Sequence, residues 1–266
     1  MGRLKSLIGM EARRLLKFPV LELMIIPAVY RAFIRAQDFR YSSLKIAYLE
    51  AAGSSPLSQV FIGSNIIETC IFGIIYDYEF LVFIYSALAA LTARDISNGY
   101  MSFLLSQPFR RSEVFAVRAA LTFLAPSVAF LAPAVTSLII VGGPIIMTAN
   151  PLHAALLIIE TIVLLLYIFS VSFSLAFATR GTFASMISSI LLLYGLKYAS
   201  AFKGSSLEAL FPPISLVRFK FSIYSIFIYG SGSWMDLPWE SLLSPLAISI
   251  ILIIVCYIYF TRRLEI

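Results

Sequence analysis

The residues able to perform acid–base, nucleophilic or metal chemistry are few and scattered in this sequence. It contains one histidine, His153, and two cysteines, Cys70 and Cys256, which lie far apart in apolar stretches. A zinc site needs three or four converging His, Cys or carboxylate ligands, and the cysteine spacing fits neither a metal site nor a disulfide framework. We therefore expect no catalytic cluster, no metal site and no cofactor held by this chain.

A second group of polar residues lies inside apolar segments. Glu160 is seven residues beyond His153, about 10 Å into a helix that begins there. Charges inside a membrane are costly and often functional, so we expect a structural partner for Glu160, with a substrate contact as the alternative. Ser185, Ser188 and Ser189 recur at helical spacing, which favours close helix packing and leaves a place in a substrate pathway as the other interpretation.

The composition indicates whether the chain lies in water or in a lipid bilayer. Of the 266 residues, 60% are hydrophobic and 13% are charged, whereas soluble domains average roughly 45–50% and 25%. This indicates a polytopic membrane protein, multi-pass in the plasma membrane. The net charge of +6 then reflects cytoplasmic loops, and we expect the lipid bilayer, not nucleic acid, as a partner.

Apolar stretches predict six transmembrane helices in an all-α fold, since a bilayer core about 30 Å thick needs about 20 apolar residues per span. An even number places both termini on one side, and the distribution of Lys and Arg makes that side cytoplasmic. We predict a single transmembrane domain, 1–266, with an amphipathic interface helix at 1–17, a cytoplasmic loop at 94–118 and an outer loop at 202–240 that contains re-entrant or interfacial helices. The predicted spans are 18–33, 71–93, 119–141, 153–178, 183–201 and 241–260.

The loop at 94–118 carries the most information. Asp95 is expected to leave the membrane, and Gly99 permits a tight bend. The apolar residues Phe103 and Leu104 then give a short helix one apolar face, and Pro108 ends it. Such a helix, held between two bends, could dock in the groove of a partner; the alternative is a turn whose apolar residues lie among lipid headgroups.

The order of residues in this loop resembles the cytoplasmic loop of type-2 ATP-binding-cassette (ABC) exporter permeases. That family has Glu-x-Glu-x-Gly-Thr-Leu, then Leu-Leu-Ser-x-Pro, a hydrophobic residue, Ser-Arg-x-Glu and a later Lys. This chain departs from it at Ser97, Tyr100 and Arg110, which replace the second acid, the threonine and the serine. The corresponding residues, together with the apolar face, are Asp95, Gly99, Phe103, Leu104, Leu105, Ser106, Pro108, Arg111, Glu113 and Arg118.

The resemblance implies that the loop is a coupling helix driven by a separate ABC ATPase subunit. ATP and Mg would bind to that subunit, because this chain has no Gly-x-x-x-x-Gly-Lys-[Ser/Thr] sequence. Two permeases, identical or related, would form the export pathway between them, with the second and fifth spans at their interface. On this interpretation the chain is a transport subunit and not an enzyme.

Three other functions fit a polytopic membrane protein. An intramembrane enzyme needs titratable groups that converge at one depth, whereas the acids here are dispersed. An ion-coupled carrier typically has broken helices in two related halves, and Pro126 and Pro133 interrupt the third predicted span alone. A non-transporting membrane anchor for a signalling ATPase is also compatible with the loop.

Overall fold

The structure, a computed structural model, describes residues 2–17, 20–22, 24–26, 28–30, 78–149, 151–198, 212–229 and 234–262. Within these ranges all regular elements are helical, as predicted. A short helical stretch, Val20–Tyr30, follows the first helix, and a 3-10 turn, Trp234–Asp236, precedes the last. The α-helices are α1 (Gly2–Leu15), α2 (Tyr78–Ser97), α3 (Tyr100–Ser106), α4 (Arg111–Ala149), α5 (Pro151–Thr179), α6 (Thr182–Tyr198), α7 (Pro212–Tyr229) and α8 (Glu240–Arg262).

Among the described residues, four helical segments are long and apolar enough to cross a membrane. They lie in α2, α4, α5 and α8, as Tyr78–Ser97, Arg111–Pro133, Ala155–Thr179 and Glu240–Arg262. Each overlaps a predicted span, but the bounds differ at the loop: α2 continues to Ser97, and α4 begins at Arg111. The non-helical part of the predicted loop is therefore shorter than expected, and Asp95 lies on α2.

The remaining two predicted spans fall on shorter helices. Val20–Tyr30 lies within the predicted span 18–33, and α6 lies within 183–201. At 17 residues, α6 is about 25 Å long, somewhat short of a 30 Å hydrocarbon core. The six-span layout and the position of the termini stay predictions.

The predicted outer loop contains a substantial helix. α7 occupies 18 of its residues, and α8 begins at its end. Residues 202–211 and 230–233 lie outside the described ranges, as do 31–77 with the predicted start of the second span. The predicted re-entrant or interfacial position of α7 stays a prediction.

Side-chain contacts define two ends of the helix bundle. At one end, Arg111 Nη1 donates to the carbonyl of Thr261 (3.3 Å), and Arg180 hydrogen-bonds to Tyr259. At the other, the Tyr78 hydroxyl donates to the carbonyl of Leu193 (3.0 Å). The helices α2, α4, α5, α6 and α8 therefore alternate in direction. We call the end that carries Ser97, Arg111, Arg180 and Arg262 the loop end.

α5 is the central helix of the bundle. It packs against α2, α4, α6, α7 and α8, and 78% of its apolar segment is buried, against 28% for α8. The apolar side chains that α8 leaves uncovered, such as Ile250, Ile251 and Ile254, are exposed. Apolar residues all around α5 thus match a buried helix, whereas α8 keeps an exposed apolar face.

An aromatic cluster joins three helices near the loop end. The ring of Phe115 on α4 lies 5.8 Å from that of Phe173 on α5, and 5.5 and 5.6 Å from those of Tyr257 and Phe260 on α8. Such spacings are favourable for ring pairs. Phe115 is buried, so its side chain fixes where α4 meets α5 and α8.

Replacing Phe115 by alanine removes the centre of this cluster. We expect Phe115→Ala to lower the free energy of unfolding by about 3–5 kcal/mol through lost burial and the resulting cavity, measured by thermal unfolding in detergent. Phe183→Ala is the matched control, because Phe183 is 81% exposed on α6. Equal losses for the two variants would contradict the packing described.

Candidate functional site at the loop end

The short helix α3 begins at a residue with left-handed backbone. Gly99, its N-cap, has φ 72° and ψ 6°, a conformation that glycine adopts without the steric cost that other residues incur. The Gly99 carbonyl accepts the first hydrogen bond of the helix, from the Phe103 amide (3.1 Å). The predicted tight bend is therefore present, and it turns the chain from α2 into α3.

Pro108 and Glu113 define the passage from α3 to α4. α3 ends at Ser106, its last residue before extended backbone at Gln107 and then Pro108. α4 begins at Arg111, and Glu113 in its first turn accepts a hydrogen bond from the Arg110 backbone amide at 2.9 Å. This is one half of a capping box, so Glu113 has a local role in starting α4.

The predicted coupling residues separate into an outward set and an inward set. The inward residues are Asp95, Leu104 and Arg118, all buried, while Leu105 and Glu113 are intermediate. The outward residues are Gly99, Phe103, Ser106, Pro108 and Arg111. A partner could therefore contact the outward set, whereas the inward set can act only within the chain. Phe103 is the prominent outward side chain, an aromatic residue 53% exposed.

The inward charges form a buried network centred on Arg118 of α4. Its guanidinium pairs with the carboxylates of Glu11 on α1 and Asp95 on α2. Nε of Arg118 also donates to Thr92 Oγ1 at 3.2 Å. Arg118 is only 1% exposed and Glu11 is fully buried, so each charge depends on its partners for the solvation that water would otherwise supply.

Arg14 and Tyr100 extend this network toward the surface. Arg14 Nη2 lies 2.6 Å from Asp95 Oδ1, and its guanidinium stacks 3.4 Å from the centre of the Tyr100 ring. The Tyr100 hydroxyl donates to Glu11 Oε1 at 3.2 Å. Two acids and two bases make the network neutral, and it links α1, α2, α3 and α4. We call Glu11, Arg14, Asp95, Tyr100 and Arg118 the loop-end network.

The surroundings of the network favour the protonation states that it uses. Burial alone would lower the pKa of Arg14, but the hydrogen bond and charge of Asp95 outweigh it, and the pKa of Arg14 is raised. Burial, then the charge of Glu11, raises the pKa of the Tyr100 phenol. Tyr100 therefore remains a hydrogen-bond donor and Arg14 a cation at physiological pH.

Several members of this network were not anticipated from the sequence. Glu11 and Arg14 belong to the predicted amphipathic helix, and Tyr100 counted only as a departure from the family pattern. A signal for Glu11 existed: it shares a helix face with Leu7 and Leu15, both buried, at i, i+4 spacing. An acid on the apolar face of a basic helix indicates a buried cationic partner.

Glu160 has a nearby charge that the sequence did not identify. Both carboxylate oxygens of this buried residue lack a hydrogen-bond partner among the described residues. Lys220 on α7, also buried, is close enough for its charge to act on Glu160. α7 packs directly against α5. An electrostatic partner for Glu160 is thus present, and a substrate contact stays a prediction.

The three serines of α6 face differently. Ser185 and Ser189 are fully buried, and Ser188 is partly so. The Ser189 hydroxyl donates to the Ser185 carbonyl at 2.7 Å, and Ser188 does so at 3.2 Å. Because α6 packs against α2 and α5, the buried serines face other helices of the same chain. Small side chains there permit close helix approach. Their place in a substrate pathway stays a prediction.

Among the described residues no three His, Cys, Asp or Glu side chains gather as metal ligands. Over the ranges that the structure describes, the fold and the site together define a class: an all-α arrangement with four helices of membrane-crossing length and apolarity, whose loop end carries an outward short helix and a buried charge network. Comparison of the chain with protein-family models, curated proteins and solved structures finds no match.

The loop-end network predicts a large penalty for losing its central base. Arg118→Met leaves the carboxylates of Glu11 and Asp95 buried without their shared guanidinium, which costs about 3–5 kcal/mol. The loss is measured as a lower free energy of unfolding in detergent. Arg110→Gln is the control, since exposed surface changes stay within about 0.5 kcal/mol and Arg110 is exposed. An Arg118→Met protein that unfolds like the parent would show that the network contributes no stability.

Proposed function

We propose that this chain is the membrane-spanning subunit of an ATP-driven exporter, with α3 as the coupling helix that a separate ABC ATPase subunit contacts. The observation that carries the proposal is the two-sided construction of α3. Its outward side presents Phe103, and its inward side is attached through Tyr100 to the loop-end network. The loop end then faces the cytoplasm, where the ATPase binds nucleotide and Mg.

The inward contacts make α3 suitable for transmitting force. Its own residues Met101 and Leu104 are buried, and α3 packs against both α2 and α4. A displacement of α3 would therefore move Tyr100 and the charges bound to it, and not only a surface loop. An ATPase that binds two arrangements of α3 with different affinity can shift the equilibrium between two arrangements of the helices.

The proposal includes a second permease, identical or related, and a substrate pathway between the two. Support comes from α6, which the resemblance assigns to that interface. Its exposed residues Phe183, Ile187 and Leu191 lie on the helix face opposite the buried Ser185 and Ser189. An apolar helix face of this kind fits lipid or a second membrane subunit.

The first test replaces the outward aromatic residue of α3. We expect Phe103→Asp to abolish recovery of the ATPase when the tagged chain is purified from its native membranes in mild detergent. The exposed position leaves the fold intact. The recovered subunit is identified by mass spectrometry through its Gly-x-x-x-x-Gly-Lys-[Ser/Thr] sequence.

Met235→Asp is the matched control, because Met235 is 91% exposed at the end remote from α3. It introduces the same charge at an exposed apolar residue and is expected to leave ATPase recovery unchanged. Absence of any ATPase from the parent preparation, or equal recovery with Phe103→Asp, would contradict the proposal.

The second test uses the backbone at Gly99. A Cβ at this position has open space around it, so only the left-handed φ penalises a substitution. Gly99→Val is expected to lower the free energy of unfolding by about 1–2 kcal/mol and to reduce ATPase recovery several-fold. Gly99→Asn is expected to keep the stability and the ATPase recovery of the parent, because Asn tolerates this conformation. Equal recovery with the two variants would show that the geometry of the bend does not matter for binding.

A further inference from the structure

A groove runs along one face of α2 toward the loop end. Its apolar part, a cavity of about 110 Å³, is lined by Val20 and Met24 on one side and by α2 on the other. The α2 residues of this wall are Phe83, Ile84, Ala87, Leu88 and Leu91. Phe83 is 42% exposed, so the groove opens on the apolar outside of the bundle.

The groove leads into a basic cavity. Leu91 also lines this second cavity, of about 330 Å³, whose other walls are Arg14, Leu15, Lys17, Arg94 and Asp95. Three bases thus face one acid, and that acid already pairs with Arg14 and Arg118. Lys17 and Arg94 are exposed and have no ion-pair partner within the described ranges. The cavity therefore presents uncompensated positive charge.

The length of the whole groove matches one bilayer leaflet. Phe83, Ala87, Leu91 and Arg94 follow one another on one face of α2. From Phe83 to Arg94 the helix rises about 17 Å, close to half of a hydrocarbon core of about 30 Å. The positive charge of Arg94 thus lies about the depth of one leaflet from Phe83, at the far end of the apolar groove.

We propose that this groove is a binding site for one anionic phospholipid of the leaflet at the loop end. The headgroup phosphate lies between Lys17 and Arg94, and an acyl chain lies along Ala87 and Phe83. Charge complementarity selects the anionic headgroup. The apolar groove distinguishes a lipid from a free phosphate, since a soluble anion gains nothing from it. The site does not include the outward face of α3 and does not depend on the proposed transport function.

The test counts lipids bound to the purified full chain by native mass spectrometry. The chain in nonionic detergent is titrated with phosphatidylglycerol or with phosphatidylcholine of the same acyl chains. We expect one phosphatidylglycerol per chain, bound more tightly than phosphatidylcholine. Lys17→Gln and Arg94→Gln should each weaken phosphatidylglycerol binding about fivefold, the typical effect of one base near an anionic surface.

Two controls separate this site from diffuse attraction and from phosphate binding. Arg262→Gln removes an exposed base of α8 that also lies at the loop end, and it should leave lipid binding unchanged. Glycerol 3-phosphate should not displace the lipid. Ala87→Phe fills the apolar groove without a change of charge, and it should weaken binding of both lipids. Equal affinity for the two lipids, an Arg262→Gln effect as large as that of Arg94→Gln, or displacement by glycerol 3-phosphate would overturn the proposal.

Discussion

The loop end of this protein depends on one buried guanidinium. Arg118 lies inside the helix bundle and pairs with carboxylates from two other helices, Glu11 and Asp95. A buried charge without partners is too costly to keep, so the arrangement forces α1, α2 and α4 to stay in register at this end. Because Glu11 belongs to α1, its ion pair with Arg118 binds that helix to the bundle by a specific contact.

Contacts with this network fix the position of the short helix α3. Tyr100 reaches Glu11 and supports the guanidinium of Arg14, while Gly99 sets the angle at which α3 leaves α2. The aromatic cluster around Phe115 joins the same end of α4 to α5 and α8. A force applied to the outward face of α3 would thus reach the central helix α5 through α4, which is what a coupling element requires.

The sequence predicts the parts of this structure that arise from local and solvent-driven effects. Apolar runs identify the helices in α2, α4, α5 and α8, and Gly99 and Pro108 mark the bends around α3, because their backbone preferences act on their immediate neighbours. Pairings across the bundle need tertiary geometry: the sequence does not show that Asp95 is buried on α2 against Arg118. Lys220 near Glu160 was missed for the same reason, since nothing in one helix specifies the charge on another.

Hydrogen exchange on the full chain carrying Asp95→Asn is the most direct measurement of whether the network unites the loop end. The substitution removes the negative charge that pairs with Arg118 and Arg14. It leaves the size of the side chain at position 95 almost unchanged. If the network couples these helices, amide protection falls together in α1, in α3 and in the first turns of α4, while the middle of α5 keeps its protection. Loss of protection confined to the end of α2 around the substitution, with α1 and α3 unchanged, would contradict the account.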